Sequence, residues 1–322
     1  MPRDPSRGLS GLHASLIRQR HNFDLLNAMT KQNSVDLQGL ASGLVAGILL
    51  ASAAVVSRYA YDAGSAAISI VTSRTLLIVV FLGLALKIKN IDCKVPGDSI
   101  GMIALNGVLF AVMSGGYIGA IKFIPVGLAT LVFFTFPILV TILLMLLRLE
   151  RVTLFRLSLT LLGFLGLSIM LGATFENVDS RGVWLAFLAS LATAVNALLV
   201  RRYFEGQNPF LVTFHISIFS LLTLFVVILV TGKPAFPNAL TGWLGLFGVG
   251  FFQTFGTPLY LYAITKIGPL KASMATNIQP VVAIIAAWIL FNETLAPIQA
   301  LGGAIVLITI AVMQISDYLK QK

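Results

Sequence analysis

Within the apolar run Ile70-Val71-Thr72-Ser73-Arg74-Thr75-Leu76-Leu77-Ile78 stands one arginine, and its surroundings decide what it can do. A cationic residue near the centre of a membrane helix costs roughly 2.5 to 3.5 kcal/mol on insertion scales, so Arg74 should face the protein interior rather than lipid. Its planar fork of donors suits a carboxylate or phosphate on a solute. The other reading ties it to backbone carbonyls or a helix end. Two prolines, Pro137 and Pro280, sit in later apolar runs, where each removes a backbone donor, frees a carbonyl one turn earlier and kinks its helix. Asn277 and Gln279 flank Pro280, and Phe134 and Phe136 hold the matching places before Pro137. An amide wall facing an aromatic wall suits an amphipathic organic solute; alternatively the amides only bridge helices, at about 0.6 kcal/mol each. Tyr117 and Gln253 complete the candidate binding set of Arg74, Tyr117, Phe134, Gln253, Asn277 and Gln279. His215 titrates near neutrality and is a candidate proton-sensitive group, with an interfacial or hydrogen-bonded role as the alternative.

What is missing narrows the chemistry. All twelve acidic residues fall in tails, loops or span ends, so no carboxylate relay sits at mid-membrane. That argues against proton-driven efflux of cations and for an anionic or zwitterionic solute. The chain has no HExxH, no pair of intramembrane aspartates and no His-rich cluster, so no enzymatic activity, metal site or cofactor is expected.

The elements that position these groups are membrane helices. The composition is 57% apolar, and a hydrocarbon core of about 30 Å needs roughly 20 apolar residues. Ten such segments are predicted, near 39–59, 66–86, 99–121, 126–147, 154–173, 182–200, 210–230, 240–263, 269–290 and 296–315. A small-residue stripe, Gly39, Gly43, Gly47 and Ala51, marks a packing face on the first. The pattern also occurs twice: Ala120-Ile121, Pro137 and Glu150 return 143 residues later as Ala263-Ile264, Pro280 and Glu293. The prediction is therefore an all-α integral membrane protein of ten transmembrane helices in two five-helix repeats, 39–173 and 182–315, with tails 1–38 and 316–322. Because five is odd, the second repeat enters from the opposite side, and the two are inverted, with a site near the midplane between them. Glu150 and Glu293 are expected to open the fifth and tenth spans, where a negative charge favours a helix N-terminus.

Formal charge is +10, which raises the question of nucleic acid. Its location answers it: with the N-terminus inside, seventeen Lys and Arg fall on the cytoplasmic side and only Arg58, Lys122, Arg181 and Lys233 outside. This is the positive-inside bias, and it places both termini in the cytoplasm with anionic lipid, not nucleic acid, as the charged partner. The membrane expected is the cell inner (plasma) membrane. The single Cys93 falls in a predicted cytoplasmic loop, where it is expected to be a reduced thiol. The first 36 residues are polar and basic, without a signal peptide, and Met29 is an alternative start to Met1.

Phe136-Pro137 with Glu150-Arg151-Val152-Thr153, and Gln279-Pro280-Val281-Val282-Ala283 through Trp288 and Asn292-Glu293-Thr294-Leu295 to Gly302-Gly303, resemble the paired EamA-type repeats of the drug/metabolite transporter superfamily. The resemblance spans nearly all of 39–315, and Arg74 matches a basic residue often seen in that family's second span. The Trp-Gly-Ser-Asn type sequence of the first span is replaced here by Leu50-Ala51-Ser52-Ala53. The resemblance implies a ten-helix bundle that exports or exchanges small metabolites, with helices one to four of each half around a central cavity and helices five and ten peripheral. The expected function is a secondary transporter of amino acids or related zwitterionic or anionic solutes working by alternating access. The alternatives are a multidrug efflux carrier and a non-transporting membrane scaffold or sensor. One cavity within one chain suffices for transport, and a homodimer is compatible with it.

Overall fold

The structure is a computed structural model that describes residues 37–94, 99–150, 152–172, 178–231, 234–291 and 296–320. The N-terminal tail with Met29, and Glu293 before the last helix, lie outside the described residues. The chain forms α1 (Leu37–Asp62), α2 (Ala67–Ile88), α3 (Ile100–Ala120), α4 (Val126–Phe133), α5 (Phe136–Leu146), α6 (Leu154–Leu171), α7 (Ser180–Tyr203), α8 (Pro209–Thr231), α9 (Leu240–Thr276), α10 (Ile278–Phe291) and α11 (Pro297–Lys320). In hydrocarbon every backbone polar group needs an internal partner, which is why these apolar runs are helical. Among the described residues, nine helical stretches are long and apolar enough to cross a membrane, where the sequence predicts ten. The difference lies in Leu240–Leu290, one stretch of 51 residues. At about 1.5 Å per residue it would run about 76 Å if straight, more than twice a hydrocarbon core. It is not straight: Gly268 leaves helical geometry at φ 82° and ψ 162°, followed at once by Pro269.

Long-range contacts sort the helix ends into two groups. At one end the Tyr262 hydroxyl donates to Gln38, Gln314 donates to the Lys271 carbonyl, Arg201 donates to the Thr265 carbonyl, and Glu150 lies against Gly268. At the other, Ala66 N–H donates to the Ala235 carbonyl, Asn238 N–H to the Ala63 carbonyl, and Arg181 lies over the Phe123 ring. Arg148, Arg202 and Lys266 share the first end, called here the basic end; Arg58, Lys122 and Arg181 share the far end.

Helix packing relies on glycine where backbones must meet. The predicted stripe on α1 docks on the second half: Gly39 faces Ile267, Gly43 faces Ala275 and Ala263, and Gly47 faces Ile278. Helix α3 lies along α7 and α8, α2 along α8 and α9, and α6 along α11. Helix α6 begins with Thr153 as its cap, accepting from Arg156 N–H at 3.3 Å, and has no acidic residue in its first turn. Glu150 therefore stands outside that helix beside Gly268, not at the helix N-terminus expected for it. Asp179 caps α7 by accepting from Arg181 N–H at 2.8 Å and pairs with the Arg181 guanidinium, which holds its carboxyl below the usual carboxylate range.

Candidate functional site

Arg74 is the eighth residue of α2, about 12 Å from the far end along the helix axis. It is partly buried, and its Nη2 donates to Ser114 Oγ of α3 at 2.6 Å. Its Nε is buried with no partner, and no carboxylate pairs with it among the described residues. Tyr61 of α1, 38% exposed, lies within electrostatic range of both Arg74 and Tyr117. The Tyr117 and Thr130 hydroxyls share a hydrogen bond of 2.8 Å between α3 and α4. One guanidinium thus stands beside the Ser114 and Tyr61 hydroxyls, with the Tyr117–Thr130 pair next to Tyr61, a donor-rich group suited to an anionic oxygen.

The two proline sites take the same form in both halves. Helix α4 stops at Phe133, α5 resumes at Phe136, and Pro137 lies in its first turn, where its missing N–H leaves no intrahelical bond unmade. Helix α9 stops at Thr276, α10 resumes at Ile278, and Pro280 lies in its first turn. The breaks at Phe134 and Asn277 are 143 residues apart, the offset of the repeat.

The flanking side chains differ in their surroundings. Phe134, 6% exposed, is enclosed with Phe133 and Phe136 at ring distances of 5.4 and 5.8 Å. It belongs to the packed core instead of the polar group around Arg74. Asn277 is 2% exposed; its Nδ2 faces Met274 Sδ at 3.7 Å and its Oδ1 is buried without a partner. Gln279 and Gln253 are partly buried, and Gln253 accepts from Thr257 at 3.4 Å. Hydrogen bonds thus tie Arg74 to Ser114 and Tyr117 to Thr130, and among the described residues none ties the amides of the second half to them. His215 Nδ1 donates to the Leu211 carbonyl one turn back at 2.9 Å, and its ring meets Phe214 edge-on.

Packing is uneven along the bundle. The largest set of contiguous buried apolar residues gathers toward the basic end, from Ile103 and Val140 to Phe204, Ile264 and Met274. Toward the far end the core divides into separate small clusters: Ala53, Ala60, Ile70 and Val249; Ala120, Ile124 and Leu128; Val71, Ala111 and Leu224. Arg74, Tyr61 and Tyr117 lie on that looser side. The Asn106 and Asn196 amides close the opposite side, with Asn196 Nδ2 donating to Asn106 Oδ1 at 2.9 Å and Asn106 Nδ2 to the Met102 carbonyl at 2.7 Å.

The sequence offers Asn106, Asn196, Ser114 and Tyr260 as deep packing or helix-bridging residues, and Asn106 with Asn196 and Ser114 with Arg74 do bridge helices; it does not single out Tyr61 or Thr130. For Tyr61 a signal existed in its place one residue before Asp62 at the end of the first apolar run. For Thr130 the separation of 13 residues from Tyr117 carries no helical periodicity that would pair them.

These features define a multi-pass, all-helical membrane protein in two repeats with polar groups turned into its interior. The chain belongs to the EamA-like transporter family, which matches residues 37–172 and 180–315. It is 27% identical over 210 residues to an uncharacterized transporter of Archaeoglobus fulgidus, covering 65% of this chain and 73% of that one. It is 24% identical over 243 residues to an uncharacterized transporter of Clostridium kluyveri, covering 71% and 77%. A chloroplastic WAT1-related protein of Arabidopsis thaliana is 24% identical over 221 residues, 65% of this chain and 53% of that longer one; the chain spans about half its length. A solved crystal structure shares the fold, with a TM-score of 0.72 at 18% identity over 86% of this chain and 97% of that chain.

Proposed function

We propose that this transporter is a secondary carrier that exports or exchanges small anionic or zwitterionic metabolites, amino acids or related solutes, across the cell inner (plasma) membrane by alternating access. The observation that carries the reading is Arg74: a guanidinium inside the bundle with one N–H buried and unpartnered, hydroxyls around it and no carboxylate paired with it among the described residues. Burying an unpaired charge is costly, and a solute carboxylate or phosphate between Arg74, Ser114, Tyr61 and Tyr117 removes that cost. Gln253, Asn277 and Gln279 offer neutral donors and acceptors for the remainder of the solute, and the breaks ahead of Pro137 and Pro280 give each half a place to bend.

The same reading takes the chain across the bilayer ten times, as two inverted five-helix repeats. Its support is that Tyr262 and Lys271, either side of Gly268, contact the basic end while α9 starts at the far end. Two crossings then fit within Leu240–Leu290. With the basic end in the cytoplasm, both chain termini lie there and Arg74 lies about 12 Å along α2 from the outer end.

The test is counterflow in proteoliposomes loaded with pooled unlabelled amino acids and related carboxylates or phosphates, following entry of each labelled species. Selective exchange in the wild type that is lost in Arg74→Ala, with the variant still folded in the membrane, supports the carrier and the counter-ion. Equal exchange kinetics in the variant overturn the role of Arg74.

A further inference from the structure

The repeat offset of 143 carries Arg74, Ser114, Tyr117 and Thr130 onto Ser217, Thr257, Tyr260 and Ser273. Hydroxyls are therefore retained at all three matching positions in the second half, but their bonds are not. Tyr117 and Thr130 are hydrogen-bonded to each other at 2.8 Å. Their counterparts are not: among the described residues the Tyr260 hydroxyl is buried with no partner, as is Ser217 Oγ, and Ser273 Oγ donates to the Leu270 carbonyl of its own helix at 2.8 Å. A buried phenol without a partner calls for a reason, as do the other unpartnered buried polar atoms among the described residues.

Inverted repeats supply one. When two copies of one sequence pattern sit in opposite orientations and the protein has two access states, each copy adopts in one state the arrangement its counterpart holds in the other. In the present state the interior is packed at the basic end and divided at the far end. The Tyr117 to Thr130 bond lies toward the end that is loose here, and Tyr260 toward the end that is packed.

We propose that Tyr260 and Ser273 are hydrogen-bonded in the state open at the basic end, and that the bond between Tyr117 and Thr130 breaks in that state. The proposal rests on the alternating-access reading above. The chemistry allows it: a serine hydroxyl has one donor and two acceptor sites, so Ser273 accepts from Tyr260 without releasing Leu270. The exchange of one tyrosine bond for the other keeps one interhelical tyrosine hydrogen bond in each state as the cavity changes ends. Tyr260 is then a positioning residue whose effect on the equilibrium is opposite in sign to that of Tyr117.

The full-length chain offers a direct test, since its one cysteine, Cys93, is exposed and replaceable by serine. Val212, 3% exposed, lines a crevice at the basic end with Val200 and Phe204. In a Cys93→Ser background, the rate at which a polar maleimide labels Val212→Cys reports the fraction open at that end. Losing one interhelical hydrogen bond in a membrane shifts a two-state equilibrium about threefold. Tyr260→Phe should lower the labelling rate about threefold and Tyr117→Phe should raise it about threefold. Ser273→Ala and Thr130→Ala, milder changes, should follow their tyrosines, and Ser273→Ala should add nothing to Tyr260→Phe. Labelling that moves in the same direction for both tyrosines, or does not move, overturns the bond exchange. Counterflow of the pooled solutes in the same preparations separates the two levels. Intact exchange with unchanged labelling removes this proposal alone, whereas absent exchange with no labelling in any variant removes alternating access and this proposal with it. Opposite shifts without exchange support the bond exchange and overturn the choice of solutes.

Discussion

Adding one methyl group at Gly302 tests the seam between α6 and α11. A Cβ built there would lie 2.5 Å from Met170 N, 2.6 Å from the Gly166 carbonyl oxygen and 2.9 Å from Met170 Cα. All three are backbone atoms of α6, so no rotamer change relieves the contact, and reaching an ordinary separation of 3.4 Å or more means moving the helices apart by about 0.5 to 1 Å. Overpacking of this kind costs about 1–3 kcal/mol, offset by about 1 kcal/mol because alanine favours a helix over glycine. Gly302→Ala should therefore destabilise the fold by up to about 2 kcal/mol net, toward the upper end because all three contacts are backbone. Gly101 in α3 is the control, since a Cβ there meets nothing within 4 Å. Gly101→Ala carries the same propensity gain without the clash. Thermal unfolding of the purified protein in one detergent, followed by tryptophan fluorescence, should place Gly302→Ala a few degrees below wild type and Gly101→Ala level with or above it. Counterflow per folded molecule should survive both changes, because the seam lies away from Arg74. If Gly302→Ala melts with the wild type, or both variants shift together, the reasoning from backbone approach is wrong.

Three further outcomes are expected. Gly268→Ala places a side chain at φ 82° and ψ 162°, a region essentially open to glycine alone, with Glu150 Oε1 only 3.3 Å from the new Cβ; a loss of about 1–3 kcal/mol should appear as a lower melting temperature, and an unchanged one would show that the joint relaxes freely. Asn196→Leu leaves the Asn106 carbonyl oxygen buried without its donor and should cost about 1–3 kcal/mol, much of it recovered in the double variant Asn106→Leu/Asn196→Leu; equal melting temperatures for single and double variants would contradict this. Asp179, whose carboxyl is held below its ordinary range by Arg181, adds stability above that range, and the contribution is lost as pH falls through the lowered value; the melting temperatures of wild type and Asp179→Asn should differ near neutrality and converge in acid, and a difference constant across pH would refute the linkage.

Much of the architecture was readable because a bilayer restricts the chain to helices and duplication repeats every constraint at one offset. The breaks at Phe134 and Asn277, each three residues before its proline, follow from Pro137 and Pro280. Arg74 was readable as inward-facing from the cost of placing a charge in lipid, and its partner Ser114 was not, because 40 residues of sequence separate them. The joint at Gly268 falls between the eighth and ninth predicted spans, 240–263 and 269–290. Glycine and proline mark it although no polar loop does, and what the sequence did not reveal is that the helix runs to within one residue of it on both sides. The glutamate reading went astray at Glu150 because Thr153, closer to α6, already supplies the cap. Phe134 illustrates a further limit: an aromatic beside a helix break has the same sequence signature whether it lines a cavity or fills the core against Phe133 and Phe136.

The joint at Gly268 has a mechanical consequence. In the first copy, five residues, 121–125, separate α3 from α4; in the second, a single residue separates the two arms of α9. A five-residue link has slack, so either arm can twist while the other stays still. A one-residue link has almost none, and torque applied to one arm reaches the other through two or three backbone torsions. Under the alternating access proposed above, the second copy would swing as a stiff bent lever with its elbow between Glu150 and the foot of α1, while the first copy flexes around it. Duplication supplied two equal parts, and the difference in slack lets one act as the frame and the other as the crank.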